Sequence, residues 1–176
     1  MRRSLHAWPW LMVVAALSGA ALAREPGPHV HGAAKLQVAL EKNSVTIDFE
    51  SPLHNLLGFE HAPRTDAEKA AVAALRERLQ KPLALFVPTP AAECSVASVK
   101  LDSPVFGTSP AEEGGHADLD AEFVYTCRQP EHLQDLRVTI FTIFPGTRTI
   151  DAQVAGPRGQ AAARLSAAQP RLAWQP

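Results

Sequence analysis

From Ala34 to Pro52 the chain reads "AKLQVALEKNSVTIDFESP", with apolar side chains on alternate positions either side of a polar turn. Leu36, Val38 and Leu40 alternate with Lys35, Gln37 and Ala39; Val45, Ile47 and Phe49 alternate with Thr46, Asp48 and Glu50. A period of two puts one set of side chains on a buried face and the other in solvent, which a helix cannot do. Lys42-Asn43-Ser44 supplies the turn, so this stretch predicts a β-hairpin with one wet face. Whatever else the chain does, it must cover the other face.

The following segments tell how. "SPLHNLLGF" predicts one or two helical turns, with Ser51 as cap, Pro52 at the first helical position and Gly58 as the stop. "RTDAEKAAVAALRERLQKP" is the longest helical pattern. Thr65 and Glu68 form a capping box, Val72, Leu75 and Leu79 form one narrow apolar stripe, and Pro82 ends it. Beyond it the pattern is mostly strand: "LALFV", "CSVASVKLD", "HADLDAEFVYTC", "DLRVTIFTIF" as a central strand, and "TRTIDAQVAG". "GQAAARLSAAQPRLAW" fits a helix or a last strand. About seven strands joined by mostly short connections, without βαβ alternation, predict an α+β domain. Its sheet or sandwich is mainly antiparallel, with one long and one short helix.

The first 23 residues stand apart. Arg2 and Arg3 precede a short apolar run, and Ala21-Leu22-Ala23 has the small-x-small pattern of a secretory cleavage site. The expectation is a signal peptide over 1–23 and a single exported domain over 24–176, in a bacterial periplasm and without a membrane anchor. Removing Arg2 and Arg3 from the 17 basic side chains leaves 15 against 18 acidic ones, so no basic excess points to nucleic acid. The two cysteines, Cys94 and Cys127, then sit in an oxidising compartment and are expected to pair, closing a loop of about 33 residues. A thiolate metal site is the rival, and the absence of C-x-x-C spacing speaks against it.

Six histidines remain after cleavage, and three groupings hold chemistry. "PHVHG" places His29 and His31 two apart. On a strand they would share a face roughly 6.5–7 Å apart and form a pincer for an ion; in a solvated tail they would do nothing. His116 and Asp118 would share a strand face with Asp120 and Glu122, as a mixed imidazole and carboxylate set or as an ordinary wet face. "GFEHAP" places Glu60 beside His61 at a helix exit, as ligands or as a packing corner. His54 and His132 are reserves. An amino-terminal copper site is excluded, because the third residue of the mature chain is Pro26. No catalytic signature of the G-x-S-x-G, H-E-x-x-H or phosphate-loop kind is present. The three function classes in play are a metal-binding protein, a binding or assembly module without metal, and a small metal-dependent hydrolase. No enzyme activity is expected.

"HVHG", "SPLHNLLGFEHAP", Cys94, "HADLDAEFVYTC" and "DLRVTIFTIFPG", taken in order, resemble the ZrgA-type family of bacterial periplasmic zinc-binding proteins, over roughly residues 28 to 174. The resemblance implies Zn2+ as the bound ion, a role in zinc uptake or homeostasis, and a periplasmic zinc-import component as partner. It carries His29, His31, Glu60, His61, His116 and Asp118 over as candidate ligands. Family members often have a long stretch rich in His, Asp and Glu before the His-x-Asp segment that leads to the second cysteine. Here "FGTSPAEEGG" stands in its place, with Glu112 and Glu113 but no histidine. That argues for one or two sites on the folded domain and against a high-capacity zinc buffer. One site would join His29 and His31 to His116 and Asp118, if the first strand lies beside the strand that follows His116.

Overall fold

The hairpin forms as its alternation requires. In the computed structural model, which describes residues 30–109, 117–157 and 159–174, β1 (Ala33–Glu41) and β2 (Ser44–Pro52) pair antiparallel from Lys35↔Glu50 to Glu41↔Ser44. Leu36, Val38, Val45, Ile47 and Phe49 are buried. The turn is the two residues Lys42 and Asn43, with Lys42 at φ 50.

Helix α1 (Leu53–Leu57) leaves β2 directly. Ser51 does not cap it; the residue belongs to β2 and Pro52 stands at the N-cap. Helix α2 (Asp66–Leu79) has the expected capping box, and Leu75 and Leu79 are its buried residues. Two strands follow, β3 (Phe86–Pro88) and β4 (Cys94–Asp102). Strand β5 (Asp118–Cys127) buries Leu119, Phe123, Tyr125 and Cys127 on one face, as its pattern requires. Strand β6 (Asp135–Val138), the one-turn helix α3 (Ile140–Ile143), and strands β7 (Thr149–Gly156), β8 (Gly159–Leu165) and β9 (Arg171–Ala173) complete the described chain.

The strands form a six-stranded sheet, β4-β5-β2-β1-β7-β8, and a three-stranded sheet, β3-β6-β9. Every pairing is antiparallel except that of β1 with β7. The two sheets share one core. Phe86 of the small sheet packs between Phe49 and Phe123 of the large one, at ring-centroid distances of 5.4 and 5.6 Å. Tyr125 donates its hydroxyl to the carbonyl of Phe86 at 3.1 Å. Cys94 and Cys127 stand directly opposite on β4 and β5 and are joined by a disulfide.

Two further sequence expectations change. "DLRVTIFTIF" is a central strand only as far as Val138, in the small sheet. Thr139 takes φ −98 and ψ 0, which ends the extended run, and the next residues coil into α3. A dense apolar run does not separate a buried strand from a buried helical turn, because neither face has to be wet. The C-terminal stretch becomes two strands, β8 and β9. The Ala-rich β8 alternates between partly covered and exposed residues along the edge of the large sheet.

Candidate metal centre

One end of the large sheet gathers most of the histidine motifs. β1, β5 and β7 start there and β2 ends there, with Pro52 in register with Asp118. Just before β1, the carbonyl of Val30 accepts from the N–H of Ala33 at 3.0 Å, closing a turn over His31 and Gly32. The β-strand therefore begins two residues after His31, and the two-residue pincer geometry of a strand does not apply there. His29 lies outside the described residues.

The glycine of "HVHG" is required by this turn. Gly32 takes φ 88, and a β-carbon on it would fall 2.4 Å from Arg148 Nε. Its carbonyl accepts from the N–H groups of Arg148 and Thr149 at 2.8 and 2.9 Å, and its own N–H donates to Asn55 Oδ1 at 2.6 Å. Arg148 Nη2 also donates to the carbonyl of His31 at 3.2 Å. Asn55 is on α1, and the whole turn is thus tied to that helix and to the start of β7.

α1 itself is anchored at both ends. The Leu53 N–H donates to the carbonyl of Ala117, just ahead of β5, at 2.9 Å. Gly58, at φ 82, closes the helix by donating to His54 O. Leu53 and Asn55 face inward, which leaves His54 exposed on the outer side. There its ring stacks on His31, with centroids 4.2 Å apart and planes within 9°. The chain then brings Glu60 back. His31 Nε2 donates to Glu60 Oε1 at 3.1 Å; the imidazole is 48% exposed and the carboxylate 10%.

Does this arrangement fit a zinc ion? Donor atoms around a tetrahedral zinc, with bonds of about 2.0–2.2 Å, stand about 3.3–3.5 Å apart. The His31–Glu60 separation already approaches that, and the ion would replace the shared proton. The third donor is not in place. Parallel stacked rings have in-plane lone pairs that never meet, so one ion cannot lie in the plane of both imidazoles. Among the described residues no three of His, Cys, Asp and Glu converge on one point. His54, stacked on His31, is exposed to solvent. The described residues thus present a two-donor pair with a third imidazole stacked beside it.

The other candidates are placed differently. His61 stacks on Phe59 at 5.1 Å, donates from Nδ1 to Ala62 O at 2.9 Å, and holds Nε2 3.9 Å from Glu68 Oε1 at the start of α2. Asp118 opens β5, its carbonyl accepting from Ser103 Oγ at 2.7 Å. His116 lies outside the described residues. The first strand does not lie beside β5, since β2 separates them by two strand spacings, roughly 9.5–10 Å. The condition for a joint site, β1 lying beside β5, is therefore not met; α1 is the element bonded to both, through Asn55 to Gly32 and through Leu53 to Ala117. His132 follows β5 at the opposite, Cys127 end, with Nδ1 3.4 Å from Ala91 O.

The outer face of the large sheet carries a ladder of carboxylates. Asp48 opposes Glu122, and Asp120 is flanked by Glu50 and Asp102. Burial, and then the neighbouring Glu122, hold the Asp48 carboxyl above its ordinary range, with Lys100 working against both. Lys35 offsets part of this charge through a 2.6 Å pair with Glu50. Asn55 and Arg148 escaped the sequence reading. A helix-disfavouring asparagine inside a five-residue helix was the signal available for Asn55; Arg148 gave none.

The description "ZrgA family zinc uptake protein" belongs to a family model that matches residues 28–174. Comparison with curated proteins finds no match. The chain belongs to the ZrgA family of zinc uptake proteins.

Proposed function

From membership of a zinc uptake family, we propose that the protein binds Zn2+ as cargo at the α1 end of the large sheet and passes it on, without catalysis. The observation that carries this is the His31–Glu60 pair at 3.1 Å, with His54 stacked against it. His31 and Glu60 hold the ion and His54 turns to join them. His29 and His116 are the remaining ligand candidates, because their neighbours Val30 and Ala117 both stand at this end; Asp118 adds a carboxylate nearby. His61 serves the α2 cap instead. The half-exposed His31 leaves the ion open to a receiving protein, as cargo requires. The expected setting is the periplasm, after removal of residues 1–23, with a zinc-import component as receiver.

Zinc binds neutral imidazole, so protons compete with the ion and affinity falls as the solution is acidified. Calorimetric titration of residues 24–176 near neutral pH tests the proposal. One or two zinc ions per chain are expected, with His31→Ala and Glu60→Gln each at least about tenfold weaker. Undiminished binding by both variants would overturn the assignment.

A further inference from the structure

We propose that Asn55 is the positioning residue of this zinc site, and that it works by standing in for a missing β-strand. The proposal rests on the placement of zinc at His31 and Glu60 argued above.

The β1–β2 ladder ends at Lys35↔Glu50, and β2 then turns into α1 after Pro52. Gly32 and Ala33 therefore have no strand on that side, and their peptide groups need other partners. The side-chain amide of Asn55 supplies both. Its Oδ1 accepts from the Gly32 N–H at 2.6 Å, and its Nδ2 donates to the Ala33 carbonyl at 2.9 Å. One donor and one acceptor on a planar amide reproduce what a neighbouring peptide group offers. Nδ2 also donates to Ser51 Oγ at 3.2 Å. With 3% exposure, the residue satisfies these groups where water does not reach.

The consequence falls on the two rings. His31 is the residue before Gly32, and His54 is the residue before Asn55. The Asn55–Gly32 bond fixes the distance between two backbones whose adjacent side chains are the stacked imidazoles. From behind, Gly146 presses on α1 so closely that a β-carbon there would come within 2.5 Å of the Asn55 carbonyl oxygen. α1 is thus packed closely against the Gly146 turn, and the Asn55 amide links that position to the His31 turn. A metal site needs its donors held within about 0.5 Å, and this bond sets their starting geometry. Asn55 never touches the ion.

Competition between residues 24–176 and a chromophoric zinc chelator tests this, at a temperature where circular dichroism shows each variant folded. Asn55→Ala is expected to weaken zinc binding about 10–100-fold. In a His54→Ala background the same change should cost much less, since the two act through one arrangement. Asn55→Asp is the second variant, for use if the alanine form does not fold. It keeps the acceptor for Gly32 but loses the donor for Ala33, and its added negative charge would by itself tighten zinc binding. Weaker binding by Asn55→Asp therefore reports lost geometry. Wild-type zinc affinity in the Asn55 variants, with only the melting temperature lowered, would show a purely structural role and overturn the proposal. His31→Ala is the parallel control: if it binds zinc like wild type, the site assignment itself has failed and the positioning role falls with it. If His31→Ala loses zinc while the Asn55 variants keep it, only the positioning role is wrong.

Discussion

Gly32 and Asp48 show how single positions divide between folding and charge. Gly32→Ala puts a β-carbon at φ 88 and against Arg148 Nε. The arginine end is flexible and moves aside, so the cost is mainly the left-handed backbone, about 1–2 kcal/mol, read as a lower urea midpoint. Asp48→Asn should do the reverse. The ionised Asp48 pays for burial and for Glu122 opposite it. Its raised pKa in the folded state means that the protonated form is favoured by folding. That contribution is full below the unfolded value, about 3.9, and is lost as pH rises through the folded one. At pH 7 Asp48→Asn is therefore expected to be slightly more stable, by no more than a few tenths of a kcal/mol because the side chain is exposed and its charge screened, and the difference should vanish below about pH 4. Urea unfolding at both pH values checks it. At this scale the sequence displayed His31, Glu60 and their chemistry, because residue type is written there. Asn55 and Arg148 were not legible, since their roles exist only once three separate segments meet.

The elements follow their patterns where one face is wet. The β1–β2 hairpin and β5 were readable from alternation alone, and α2 from its cap and stripe. Glu68 accepts from the N–H groups of Arg64 and Thr65 at 2.6 and 2.9 Å, while Thr65 Oγ1 accepts from the Glu68 N–H at 3.2 Å. These backbone donors hold the Glu68 carboxyl below its ordinary range. The sign is opposite to that of Asp48: the cap's contribution is present above about pH 4.3 and is lost as pH falls through the lowered folded value. Thr65→Ala should cost about 1 kcal/mol at pH 7, measurable by denaturant unfolding. Where both faces are dry, alternation carries no information. That is why residues 135–144 read as one strand although they divide at Thr139 into β6 and α3. Likewise, a turn and a strand have the same local composition around "HVHG", and only the closing bond from Ala33 to Val30 separates them.

Across the whole molecule, fold class and disulfide were legible, because the pairing of two cysteines in a chain expected to be exported needs no geometry to predict. Strand order was not: nothing local says that β2 lies between β1 and β5, or that β1 pairs with β7 in parallel. The resulting topology puts the disulfide and the candidate zinc site at opposite ends of the ten-residue β5, about 30 Å apart. Cys94→Ser/Cys127→Ser should therefore lose about 3–4 kcal/mol of stability while zinc affinity of the folded protein stays unchanged, as unfolding and chelator competition would show together. The central claim, that zinc sits at the α1 end, meets its most direct test in a crystal of residues 24–176 soaked with zinc and measured at the zinc absorption edge. The account predicts an anomalous peak about 2.0–2.2 Å from both His31 Nε2 and a Glu60 carboxylate oxygen. A peak on the carboxylate ladder of the outer sheet face or beside His132, with none at His31, would contradict it.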